Sequence, residues 1–289
     1  MDQHFVPRSY LRQWCREDGF LIRYRRVGPP GALRLVADKK PPEGVCWEPD
    51  LYLLPEGGVA NGLTGNGVEH LLAKAVDESI APIVEAIGER TGLVDPLVGG
   101  KVKWLMQNFT ARAPSTLSVI EKEVVSFAVE HESWILRTLE RAMTPAMRSE
   151  LSQYLDPRMP AVAARASLAG MAANQFIPMS GWLEGRVCVL HSKNAKAMLA
   201  AFGLVEFPTF EEPVVQWQDN EAGLVASWSV SPDAIVFVID GHGAHPYELA
   251  RRHIISSLRH QRSAICRQKV PEGFWLDEAQ NLVPWSPAE

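Results

Sequence analysis

The hydrophobic period of this chain changes three times, and each change restricts the fold. In GFLIRYRR and ALRLVA the pattern alternates, with Phe20, Ile22 and Tyr24 on one face and Arg23 and Arg25 on the other. The intervening VGPPG is a turn signal, so the two stretches predict a β-hairpin. A Pro-rich connection (KKPPEG), a short apolar piece (LYLLP) and a glycine-rich loop follow. From Val68 the period becomes about 3.6 residues, as an amphipathic helix requires. Val68, Leu71, Leu72, Ala75, Val76, Ile80, Ile83 and Ile87 fall on one stripe, with a kink expected at Pro82. Val102, Leu105, Met106 and Phe109 form the next stripe, ended or bent at Ala113 and Pro114, and helical patterns continue over 115–143, 145–154 and 160–176. After Gly185 the short pieces RVCVLHS, LVEFPTF, PVVQWQ, GLVASWSV and AIVFVID read as strands. The chain then returns to a helix, with Leu249, Ile254, Leu258 and Ile265 on its apolar face, and ends in an irregular tail.

Strands, helices, strands and helix in separate blocks predict an α+β fold rather than alternating βαβ units. We expect a single α+β domain over 1–289: an N-terminal arm and hairpin (1–60), a helical layer (67–176), antiparallel strands (185–240) and a C-terminal helix (245–269). The strands of 20–37 should lie close to those of 186–239, because a lone hairpin is marginal in water.

A net charge of −5 conceals an uneven distribution. Residues 1–40 carry nine Lys and Arg against four acidic side chains, and residues 248–270 carry six against one. If the two ends meet, Arg8, Arg251 and Arg252 would belong to one basic surface able to bind an anion such as a phosphate-containing ligand or nucleic acid. If they do not, the same charges are solvated faces on unrelated elements. Cys15, Cys46, Cys188 and Cys266 have no metal-site or redox spacing and no secretory signal ahead of them, so we expect reduced thiols in a cytoplasmic protein. No apolar run approaches the ~18 residues of a membrane span.

Common catalytic signatures are missing: there is no GxxxxGK[ST], no GxGxxG after a strand, no HExxH and no GxSxG. NGLTGNG reads as a loop, and IDGHGAH offers Asp240, His242 and His245 either as a metal site or as a polar turn. The densest stretch is QHFVPRSYLRQW. Pro7 suits a first helical turn, where its missing N–H costs nothing, and Val6, Tyr10, Leu11 and Trp14 then share an apolar face that should be buried. That face would hold Gln3 and His4 beside Arg112 and the segment 207–214.

This opening resembles that of a large bacterial family of uncharacterised proteins, a domain of unknown function whose members begin Q-H-x-V-P-x-x-Y-L. The resemblance extends to Asp77 ahead of Ala81-Pro82-Ile83, with Glu69 one helix segment earlier, and to Arg112-Ala113-Pro114, where the family has Arg-Thr-Pro. It also covers FPTFEEPV (Phe207 to Val214), where Glu211 and Glu212 depart from the family's Ser-Asp-Asn, and the SVSP turn. The resemblance implies a map of positions rather than a mechanism.

Two functional expectations follow. In the first, His4, Glu69, Asp77, Arg112 and Glu211 converge in a cleft of a hydrolase or nuclease-like protein. His4 would be general base or metal ligand, Glu69 and Asp77 ligands of a divalent metal, and Arg112 the anion clamp. In the second, the chain is a non-catalytic protein-interaction module: the same residues lock the N-terminal arm onto the helical layer, and Trp14, Trp47, Trp275 and Trp285 help a partner surface. Oligomeric state stays open.

Overall fold

The computed structural model describes residues 2–28, 34–59, 62–141, 144–146, 156–173, 185–220, 222–240, 245–260, 263–268, 275–276 and 282–283. The hairpin turn, His242 and Trp285 lie outside them, as does most of the 145–154 helix.

The fold is α+β. Its strands are β1 (Asp2–His4), β2 (Leu21–Val27), β3 (Arg34–Lys40), β4 (Trp47–Pro49) and β5 (Gly92–Leu93), then β6 (Arg186–His191), β7 (Thr209–Phe210), β8 (Val214–Asp219), β9 (Gly223–Ser231), β10 (Ala234–Ile239) and β11 (Ser263–Cys266). Among the described residues a central antiparallel sheet runs β5-β6-β10-β9-β8, and a hairpin sheet runs β3-β2-β11-β7. The helices are α1 (Arg8–Leu11), α2 (Gly67–Leu72), α3 (Glu78–Ile87), α4 (Pro96–Arg112), α5 (Pro114–Arg141), α6 (Met159–Ala173), α7 (Lys196–Ala201) and α8 (Pro246–His260).

All six residues of β10 are buried, because the central sheet is covered on both faces. Side chains alternate across a strand, so its neighbours divide cleanly. Val236 and Val238 join Val187, Val189 and Trp228 in a core with the helical layer and with Val6, Tyr10, Leu11 and Trp14 of the arm. Ile235, Phe237 and Ile239 face the other way, packing with Leu249, Ile254 and Leu258 of α8 and with Ile22 and Tyr24 of the hairpin. The hairpin therefore rests on the central sheet, with β11 between β2 and β7.

Three expectations need correction. The C-terminal helix stops at His260, not 269; Ser263–Cys266 is the fully buried strand β11. Ile265 lies seven residues after Leu258 and so matches the helical stripe, but a short apolar run fits a buried strand equally well. LVEFPTF contributes only the two residues of β7, because Glu206 turns inward to accept the backbone N–H groups of Arg267 and Gln268 at 2.7 and 3.1 Å. The tail is not wholly irregular: Trp275–Leu276 pairs with Leu282–Val283. Pro82 sits inside α3, and the helix irregularity falls ahead of it as a π-turn over Ala73–Asp77. No helix among the described residues is long and apolar enough to cross a membrane.

Candidate functional site

The arm is held first by its backbone. β1 pairs antiparallel with β4, placing Gln3 opposite Glu48 and His4 opposite Trp47, and Phe5 N–H continues the ladder to the Cys46 carbonyl at 3.1 Å. Cys46 adopts φ 54°, a left-handed conformation uncommon for a residue with a side chain. Pro7 then opens α1, whose apolar side is fully buried. Tyr10 meets Phe109 edge-to-face and stacks against Trp228, with ring centroids 5.0 and 5.7 Å away. Its hydroxyl donates to the Ser229 carbonyl and lies 2.7 Å from Thr209 Oγ1. Trp14 Nε1 donates to the Phe207 carbonyl at 3.0 Å.

Behind the arm lies a buried polar cluster. Arg112, the last residue of α4, is 1% exposed. Its Nη1 donates to Asp77 Oδ1 at 2.5 Å, Nη2 to the His4 carbonyl at 2.7 Å and Nε to Tyr52 Oη at 3.5 Å. Tyr52 Oη in turn donates to the Arg112 carbonyl at 3.2 Å, satisfying one of the acceptors that a helix C-terminus leaves open. Gln3 completes the lock, its Oε1 accepting Tyr52 N–H and its Nε2 donating to Asn66 Oδ1 at 3.2 Å. From the far side Arg165 Nη2 donates to the Leu51 carbonyl at 2.7 Å.

The electrostatics follow from burial. Desolvation alone would lower the Arg112 pKa, but the Asp77 carboxylate and Tyr52 outweigh it and hold the guanidinium charged. Burial raises the carboxyl pKa of Glu69 and of Asp77, against the pull of Arg112. Burial, with Arg8 next, lowers that of His4, which favours the neutral imidazole. Glu69 Oε2 and His4 Nδ1 are buried without a hydrogen-bond partner.

The structure thus brings His4, Asp77 and Arg112 together, with Glu69 and Arg8 within their electrostatic reach. The Arg112 guanidinium, expected as the anion clamp, faces Asp77, a backbone carbonyl and a phenol rather than solvent. Among the described residues no three His, Cys, Asp or Glu side chains are grouped closely enough to hold a metal ion. Glu211 accepts a hydrogen bond from Ser263 Oγ at 2.7 Å. The basic ends do meet, β2 pairing with β11, and part of their charge is answered internally. Asp38 stands opposite Arg23 on the hairpin and pairs with it at 2.7 Å, with Arg25 at 3.5 Å and with Lys40 at 3.8 Å. On α8, Arg251 pairs with Glu248 at 3.5 Å and Arg252 with Asp219.

A family model described as Protein of unknown function (DUF4238) matches residues 2–160. The chain belongs to that family. The DUF4238 span contains the lock residues Gln3, Tyr52, Asn66, Asp77 and Arg112, and ends before Arg165, Glu211 and the main strands of the central sheet. No curated protein and no solved structure matches the chain.

In this DUF4238 member the sequence reading overlooked Tyr52 and the groove on the other side of the arm. Tyr52 stands in the apolar LYLLP, where a buried phenol must find partners, and that was the available signal. The groove encloses about 940 Å³. One wall is Phe5 and Val45 to Glu48, the other Glu211, Glu212 and the start of β8, with Ser115 and Ser257 between them. The Cys46 thiol in this wall is raised by burial and unsuited to nucleophilic attack.

Proposed function

We propose that this chain is a non-catalytic interaction module, in which the family's polar residues lock the N-terminal arm in place as one wall of a binding groove. The observation that carries this reading is the environment of Arg112: 1% exposed, with Asp77, the His4 carbonyl and Tyr52 as its partners. A side chain recruited for substrate charge would keep donors toward solvent, whereas this one fixes backbone. On this reading the Gln3 to Leu11 motif is a structural signature, and the four free cysteines suit the reducing bacterial cytoplasm we assign.

The rival reading, a hydrolase acting on a phosphate-containing substrate, draws on the unpartnered His4 Nδ1 and Glu69 Oε2, an imidazole and a carboxyl of the kind used in acid–base chemistry. Purified full-length protein separates the two. We expect no cleavage of a chromogenic phosphodiester with magnesium or manganese added, and we expect Arg112→Met to open the arm to limited proteolysis. Metal-dependent cleavage that disappears in both His4→Ala and Glu69→Gln, with thermal stability retained, would replace the module with the hydrolase.

A further inference from the structure

Resting on the module reading, we infer that the groove binds an extended, cationic segment of another protein, which adds to the free edge of β8. Among the described residues β8 ends the central sheet, so one side of its six residues has no strand partner. Such an edge offers main-chain donors and acceptors in a row, the template used in β-augmentation. Val214, Val215 and Gln216 of this edge line the groove itself.

The charge of the walls selects the occupant. Glu48 faces the groove from β4, and Glu211 and Glu212 enter from the connection between β7 and β8, Glu212 accepting a hydrogen bond from Ser115 Oγ at 2.5 Å. Among the described lining residues the one guanidinium, Arg23, is already held by two hydrogen bonds to Asp38 at 3.0 and 2.7 Å. Among the described lining residues, carboxylates therefore outnumber cations three to one. Trp47, 39% exposed, adds an aromatic face of the type that receives Lys or Arg. An independent feature also points to a ligand: Ser257 lines the groove, is 1% exposed, and its Oγ has no hydrogen-bond partner. A buried hydroxyl without a partner is costly, and a main-chain group of a bound segment would satisfy it. In an extended ligand alternate side chains point the same way, so cations at every second position would meet Glu48, Glu211 and Glu212 while the backbone pairs with β8.

The test is fluorescence anisotropy on the full-length protein with a labelled ten-residue peptide of alternating Arg and Val. The controls are an alternating Glu and Val peptide, an Arg and Val peptide N-methylated at alternate residues, and a single-stranded RNA ten-mer. The inference expects binding of the first alone, weakened about tenfold or more in Glu211→Gln/Glu212→Gln, as loss of a central contact would. Because Glu211 also bonds Ser263, Glu48→Lys on the exposed β4 is a second variant and should weaken binding likewise. Binding of the N-methylated peptide equal to the parent would remove the edge-pairing element, and preference for RNA would replace the partner class. No binding, or binding indifferent to all three glutamates, would overturn the inference. None of these results bears on the arm lock, which stands or falls with the phosphodiester and proteolysis measurements.

Discussion

A guanidinium with 1% exposure must have its charge answered from within, and the consequence is measurable at Arg112. Arg112→Met leaves Asp77 without its counter-charge and the His4 carbonyl without its donor, so urea unfolding should show a loss of about 3 kcal/mol, the low end for a broken buried pair because Asp77 keeps 24% side-chain exposure. Adding Asp77→Leu should restore part of that loss, since an apolar pair carries no desolvation cost. His253 makes a different prediction. Its ring lies between Ser227 Oγ at 2.7 Å and Ser229 Oγ at 3.3 Å, and burial pushes its pKa from 6.5 down to about 3. Between those values the unfolded chain binds a proton that the folded protein refuses, so stability falls as pH falls, by about 1.4 kcal/mol per unit. The raised carboxyls of Glu69 and Asp77 act oppositely, holding protons better when folded. The comparison that isolates His253 is therefore wild type against His253→Leu across pH 4 to 6.5, where the variant should show a shallower slope.

Elements were legible in proportion to how much of their partner lies nearby in the chain. The hairpin, the stripe of α4 and the strand-rich block after 185 follow from local period, and all three are present. β1, β4, β5 and β11 are short strands whose identity comes from distant partners, and nothing in two to four residues encodes a ladder made across the molecule. The same reasoning divides the site. Arg112, Asp77 and His4 could be placed together from motif order, whereas Tyr52 joins them only because its segment folds back under the arm, and Glu211 leaves them because β7 carries it to Ser263. One boundary residue carries a prediction of its own. A Cβ at Gly185 would stand 2.5 Å from the Ile239 carbonyl oxygen, so Gly185→Ala must push β6 off the end of β10. The cost should be about 1 to 3 kcal/mol, the range for overpacking, with amide exchange rising first at Arg186 and Val187.

At the scale of the molecule, Tyr10 is where the separate layers touch one another. Its ring meets Phe109 of the helical layer and Trp228 of the central sheet, and its hydroxyl reaches Thr209 of the hairpin sheet. Tyr10→Ala should therefore destabilise the fold by about 3 to 5 kcal/mol, read from the unfolding midpoint at unchanged slope. His4→Ala, which keeps the carbonyl that Arg112 uses, should cost far less. The separation of these partners also sets a timetable during synthesis. Tyr10 is made 219 residues before Ser229, to whose carbonyl it bonds. At ribosomal speeds of roughly 5 to 20 residues per second, the apolar face of Val6, Tyr10, Leu11 and Trp14 waits some 10 to 40 seconds for the strand that covers it. For that interval the nascent chain carries an uncovered aromatic segment, a natural target for a holding chaperone.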